Sequence, residues 1–245
     1  METSLPRALL RGLSDVVFPP ACVNCRGLVE DSPYRHVCAR CARYVEFARP
    51  HFCETCGHPL LGDFSGTGPC GHCAGLNPAF GAGRAAVLLR GPARALLVEL
   101  KYHGGRHVLE DVEEVFRRSP PVIEHVRGAS LVPVPLHARR RRERGFNQSA
   151  LLAEALARAA GGAAVVVDVL VRCADTQSQT AFDRRSRRDN LKNAFALAPG
   201  ARLDAGQRYV LVDDVFTTGS TLNGCARMLR RHGCVKLDVA VFAHG

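Results

Sequence analysis

Tryptophan is absent from this 245-residue chain and aromatic residues make up only 6% of it. That scarcity argues against a protein that works by extensive stacking on nucleic-acid bases. A long uninterrupted apolar run is also missing, because Arg11, Asp15, Glu99 and Asp168 break the candidates. The uncharged stretch 64–83 has the length to span a bilayer, but its Gly, Pro and Cys content is wrong for a membrane helix. The opening LPRALLRGLSDVVFPP lacks the continuous apolar segment of a secretory signal. It predicts a short amphipathic helix over 1–20, capped by Ser4 and ended by Pro19-Pro20. No GxxxxGK[ST] occurs, which removes the common triphosphate loop. GAGRAA (81–86) does match a GxGxxA fingerprint. It precedes a predicted strand, so its glycines cannot aim a helix end at a pyrophosphate. The expectation is a cytoplasmic protein with no membrane insertion.

What is present is unevenly placed. Residues 1–75 carry seven Lys/Arg and seven Asp/Glu, whereas 76–245 carry 26 and 16, so the net charge of +10 belongs to the C-terminal body. A basic body calls for an anionic partner, phosphates first among them. Eight of the eleven cysteines form four Cys-x-x-Cys pairs: Cys22/Cys25, Cys38/Cys41, Cys53/Cys56 and Cys70/Cys73. Two such pairs make a tetrathiolate site, the usual arrangement of structural Zn²⁺, so two zinc sites are expected. The spacers suggest sequential pairing, with interleaving of the first and third pairs left open. Gly57 and Gly71 suit left-handed knuckle turns. His36, His51, His58 and His72 could each replace a thiolate, but with all four pairs intact they are assigned to the surface or to the outer shell of the metals. A disulfide framework is the competing reading, set back by the lack of a secretion signal. Cys173, Cys225 and Cys234 are expected to be buried packing residues.

From residue 77 the pattern alternates between strand and helix. AAVLLR (85–90), SLVPVPLH (130–137), VVVDVLVR (165–172), RYVLVDDV (208–215) and VKLDVAVFAHG (235–245) read as strands, the second and third as buried. Helical spacing marks 93–104, 107–118 (stopped by Pro120-Pro121), the stretch ending at Gly161, and 220–233. The predicted fold class is α/β, a mostly parallel sheet with helices on both faces. It is preceded by a cysteine-rich module over 21–76, and ligands are expected at the carboxyl ends of its strands.

One segment has unusual chemistry. YVLVDDVFTTGST (209–221) ends an apolar strand, predicted over Tyr209–Val212, in two carboxylates and a run of small residues before a helix from Leu222. Amides of Thr217, Thr218, Gly219, Ser220 and Thr221 would converge on a phosphate at the positive end of that helix. Asp213 and Asp214 would accept hydrogen bonds from vicinal sugar hydroxyls. A ribose 5-phosphate carries both groups. The plain alternative is an ordinary corner with Ser220 or Thr221 as N-cap.

This segment resembles the type I phosphoribosyltransferase signature, the loop that binds phosphoribosyl pyrophosphate. VPVPLHARRRRERGFNQS (132–149), the pattern Gln179-x-x-Phe182-x(4)-Arg187-x-x-Asn190 followed by NAF (193–195), LKYHG (100–104) and the cysteine-rich front narrow the resemblance to the ComF/GntX family. Family proteins pair a double zinc ribbon with a phosphoribosyltransferase-like domain and are linked to DNA uptake in natural competence. The resemblance implies Asp213 and Asp214 on the ribose, and Thr217 to Thr221 on the 5-phosphate. It places a pyrophosphate loop at Leu136, His137 and Arg139, Mg²⁺ accompanying phosphoribosyl pyrophosphate, and a loop over the site from Thr176 to Asn190. The family's position 182 is usually aliphatic, and here it is Phe182. It also implies partners among single-stranded DNA and DNA-uptake or replication proteins.

Three functions stay open on the residues. A transferase would displace pyrophosphate from the sugar donor, although neither an acceptor pocket nor a general base beyond His137 is legible. A nucleic-acid binder would use Arg140, Arg141, Arg142 and Arg144, with Phe146 behind them, together with Arg187 and Arg188. The third is a sensor of phosphoribosyl pyrophosphate. A competence factor that handles incoming single-stranded DNA is the favoured expectation.

Overall fold

A computed structural model describes residues 19–60, 70–102, 104–173 and 194–245. The predicted N-terminal helix, the loop Thr176–Asn190 and the arginines Arg187 and Arg188 lie outside the described residues. In chain order the elements are α1 (Ala39–Ala42), β1 (Gly83–Leu88), α2 (Gly91–Tyr102), a 3-10 turn Arg106–Val108, α3 (Leu109–Arg117) and α4 (Pro120–Val126). There follow β2 (Ser130–Pro133), α5 (Ala138–Arg144), α6 (Gln148–Ala159), β3 (Val165–Val166), β4 (Leu170–Arg172) and β5 (Phe195–Leu197). The chain closes with β6 (Arg208–Phe216), α7 (Ser220–Arg231) and β7 (Lys236–His244).

Five strands form one parallel sheet in the order β1-β7-β6-β2-β3, and β4 with β5 makes a small antiparallel pair. The central strands β6 and β7 are apolar and buried, as expected of a parallel sheet covered on both faces. On one face α2, α3, α4 and α6 pack through residues such as Leu96, Leu100, Val112, Phe116, Val126, Leu152 and Leu156. On the other, α7 contributes Leu222, Cys225, Ala226 and Leu229, joined by the β4–β5 pair.

The cysteine-rich module covers the β1 edge. Its first half packs with the four-helix layer and its second half with the α7 layer, so the two halves straddle the strand. Backbone bonds tie the module down: Ala48 N donates to Ala86 O at 3.0 Å, Leu88 N to Glu46 O at 2.8 Å and Gly83 N to Glu54 O at 2.7 Å. An edge strand left bare would offer those groups to other chains. Gly83 of GAGRAA and Gly57 of the module serve this contact. A Cβ on Gly83 would sit 2.5 Å from Thr55 O, and one on Gly57 2.7 Å from Ala85 N.

Several expected boundaries shift. Pro120-Pro121 starts α4 instead of only stopping α3, since proline in the first turn gives up no helical hydrogen bond. The strand expected over 130–137 stops at Pro133, because the prolines at 133 and 135 cannot donate to a ladder. VVVDVLVR is two strands in different sheets, not one buried strand, and Val165 is 63% exposed at the sheet edge. ARRRRER, not foreseen as regular structure, is the helix α5.

Candidate functional site

The four cysteine pairs resolve into two clusters, Cys22/Cys25/Cys38/Cys41 and Cys53/Cys56/Cys70/Cys73, each able to converge on one point. This is the sequential pairing, which the spacing alone had not decided. Sulfur separations are 3.7 Å for Cys25–Cys38, 3.6 Å for Cys53–Cys73, 3.5 Å for Cys56–Cys70 and 3.8 Å for Cys70–Cys73. A tetrahedral ion with Zn–S bonds of about 2.3 Å sets that distance at about 3.8 Å, whereas a disulfide needs about 2.05 Å. The residues therefore fit structural zinc, and all eleven cysteines are free thiols.

Both halves use the same knuckle. Arg26 N donates to Cys22 O and Gly57 N to Cys53 O, each at 2.8 Å. Arg26 and Gly57 both have positive φ, 64° and 74°. Gly71 is not among the left-handed glycines, so that expectation is corrected. Cys225 and Cys234 are buried as expected, but Cys173 is exposed at the end of β4.

At the opposite side of β7, strand β6 carries Asp213 and Asp214 toward its carboxyl end. The strand runs past Val212 to Phe216, and α7 begins at Ser220, where the helical spacing of 220–233 starts, two residues before Leu222. The turn between them is Thr217, Thr218 and Gly219. Thr217 and Thr218 are exposed. Gly219 is the N-cap, with φ 68°, and has no side chain to cap the helix. Neither Ser220 nor Thr221 takes that role. Among the described residues nothing accepts from the amides of Thr217, Thr218 or Gly219, while Thr218 Oγ1 accepts from Ser220 N at 3.4 Å and lies 3.0 Å from Ser220 Oγ. A turn with three unused amides at the start of a helix suits an anion.

Gly219 is required here on two counts. Its φ is left-handed, and a Cβ would meet Phe216 Cζ at 2.5 Å and Leu76 Cδ2 at 2.8 Å. Gly219→Ala is expected to cost about 1–3 kcal/mol in denaturant unfolding. It should also reshape the turn enough to abolish anion binding, as read by calorimetry with inorganic phosphate or a sugar phosphate.

The two acids are held by elements the sequence reading did not assign to them. Asn147 caps α6 by accepting from Ser149 N at 3.2 Å, and its Nδ2 donates to Val134 O at 3.0 Å just beyond β2. That anchors the first helical residues over β6. Ser149 Oγ donates to Asp213 Oδ1 at 2.8 Å and Gln148 Nε2 to Asp214 Oδ2 at 3.2 Å. From α2, Lys101 Nζ pairs with Asp214 Oδ2 at 2.8 Å. Burial, and then the neighbouring Asp214 charge, push the Asp213 carboxyl above its ordinary range. The signals were present in the quoted motifs, Lys101 in LKYHG and Gln148-Ser149 in FNQS, but no local rule points them at residues 64 or more positions away.

The turn after β2 adjoins this corner, since Val134 N donates to Val212 O at 2.9 Å. Leu136 and His137 lie in that turn, half-buried, and Arg139 falls in the first turn of α5. Arg140, Arg141 and Arg142 are exposed along α5. Arg144 donates to Gln148 Oε1 at 3.0 Å, which links the arginine helix to the acids. Between α2 and α5 opens a cleft of about 550 Å³ lined by Lys101, Tyr102, Gly104, Arg140, Arg144 and Phe146, with Glu143. Arg144 stacks over Tyr102 and Arg106 over Phe146, with guanidinium-to-ring distances of 5.3 and 5.5 Å. Cationic and aromatic groups thus line the same cleft as the lysine that pairs with Asp214.

Comparisons with known proteins agree with this architecture. A double zinc ribbon domain model matches residues 13–74 and a phosphoribosyl transferase domain model matches residues 108–245. DNA utilization protein YhgH of Salmonella typhimurium is 32% identical over 232 residues, covering 91% of this chain and 96% of that protein. Competence protein F of Haemophilus influenzae is 39% identical over 110 residues, 45% of this chain and 48% of that protein. Competence protein ComFC of Bacillus subtilis is 26% identical over 220 residues, 86% and 85% of the two chains. Among the described residues no helix is long and apolar enough to cross a membrane.

Proposed function

This chain belongs to the ComF family of competence proteins with a phosphoribosyltransferase domain, and on that footing we propose that it is a cytoplasmic factor for handling incoming single-stranded DNA. A ribose-phosphate site sits beside its DNA groove. The supporting observation is Lys101, which pairs with Asp214 and also lines the arginine cleft. One residue thereby joins the sugar corner to the cationic groove. The relatives' names, DNA utilization and competence, fit a nucleic-acid role.

In this reading the 5-phosphate takes the amides and hydroxyls from Thr217 to Thr221. The ribose hydroxyls donate to Asp213 and Asp214, and the turn at Leu136, His137 and Arg139 faces the pyrophosphate of phosphoribosyl pyrophosphate. Mg²⁺ would arrive on the donor's own oxygens, the usual way this small, strongly hydrated ion binds a phosphate ligand. The strand of DNA would follow α5, where Arg140, Arg141 and Arg142 neutralise backbone phosphates and Tyr102 and Phe146 offer two stacking faces.

Fluorescence anisotropy with labelled single-stranded DNA at increasing salt tests this. Each phosphate contact contributes about 0.7 to the slope of log affinity against log salt for a single strand. Arg140→Ala/Arg142→Ala removes two exposed arginines without touching the Arg144–Gln148–Asp214 chain. It is expected to flatten the slope by about 1.4 and weaken binding similarly for all sequences. No binding by the unaltered protein at low salt would overturn the DNA reading. Release of pyrophosphate from the sugar donor would instead identify a transferase.

A further inference from the structure

Three histidines converge where the second ribbon half meets the end of β7. His58 follows the Cys53/Cys56 knuckle and His72 stands between Cys70 and Cys73, while His244 ends the last strand. One ring nitrogen from each lies within 4.8 Å of those of the other two. His58 Nδ1 and His244 Nδ1 are 3.3 Å apart, and the His58 and His72 ring centroids are separated by 3.7 Å. We propose that His58, His72 and His244 form a third metal site, separate from the two tetrathiolates, for a divalent transition ion of the zinc, cobalt or nickel type.

The geometry supplies the reason. A tetrahedral ion bound at about 2.05 Å by two imidazole nitrogens holds them about 3.3 Å apart. The His58–His244 separation has that value. The rings are positioned by rigid neighbours. Gly57, left-handed and pressed on the β1 backbone, fixes the start of His58, whose carbonyl accepts from Cys53 N at 2.8 Å. His244 is 1% exposed and stacks on Phe216 at 5.2 Å, with planes 17° apart. Its Nδ1 is the nitrogen turned to His58, while its Nε2 is buried on the far side of the ring. His72 is exposed, so the fourth position of a three-histidine ion would open toward water. Three neutral nitrogen ligands with one vacant position form a set that binds a water or an anion, not a closed structural site.

The full chain is the sample. After dialysis against a mild chelator, elemental analysis should give two zinc per chain, and cobalt(II) titration should then add one further equivalent. Its visible bands should rise without the near-ultraviolet thiolate charge transfer that cobalt in a cysteine site would give. His72→Ala, an exposed position, should retain the two zinc ions and lose the added equivalent. His232→Ala, an exposed histidine outside the cluster, should bind as the unaltered protein does. A wild-type titration with no third equivalent overturns the site, and that measurement depends on no variant. An added equivalent that shows thiolate charge transfer, or that His72→Ala binds equally well, overturns it too.

Discussion

Asp213→Asn/Asp214→Asn should reduce the affinity for Mg²⁺–phosphoribosyl pyrophosphate by two to four powers of ten in titration calorimetry. Hydrogen bonds to a charged group are worth about 1.5–3 kcal/mol each, and each 1.4 kcal/mol is tenfold in affinity. Two carboxylates accepting from vicinal hydroxyls therefore account for that range. The substitution keeps the shape of both side chains but gives each an amide that donates where an oxygen had accepted. It also leaves Lys101 facing a neutral group in a part-buried position, so a stability loss must be separated from a binding loss. A thermal melt of the variant and its zinc content show whether the fold survives. Lys101→Met provides the complementary arm, for it spares both carboxylates while removing their cation. If the doubly substituted protein folds and binds the sugar donor within threefold of the original, the acids do not hold the ribose. The anion turn would then stand alone.

The cysteine pairs were readable because a three-residue spacing fixes ligand geometry locally, and the tetrathiolates came out of the sequence with only their partnership open. YVLVDDVFTTGST was readable for the same reason. Strand, acids, turn and helix lie within thirteen consecutive residues, so the corner follows from local rules. What escaped depends on distant contacts. Lys101, Gln148 and Ser149 reach the acids only after α2 and α6 have packed over β6, and no periodicity records such a meeting. The division of 165–172 escaped because a β-branched run does not reveal which sheet will take each half. His58 and His72 looked like bystanders of the zinc ligands. They acquire a common neighbour only when β7 places His244 between them and Phe216.

Removing the ribbon zinc should damage more than the ribbon. Structural zinc in small modules contributes about 10–16 kcal/mol of apparent folding free energy, and the thiolates here surround almost no other organising element than the four-residue helix α1. The module is also the cover of the β1 edge, through Phe47 opposite Val87 and the bonds of Glu46, Ala48 and Glu54 to β1. Its buried link to the helical layer is His36, whose backbone N and Nδ1 both lie 2.8 Å from the Asp111 carboxylate. Cys53→Ser/Cys56→Ser should therefore lose one zinc and lower the whole protein's unfolding midpoint. Faster hydrogen exchange should appear at the β1 amides before those of β2, because β1 loses its cover while β2 stays flanked by β6 and β3. Concentration-dependent aggregation should follow from the exposed edge. A variant that has lost the metal but keeps its midpoint and its β1 protection would show that the sheet holds its own edge, and that the ribbon is an attachment, not part of the fold.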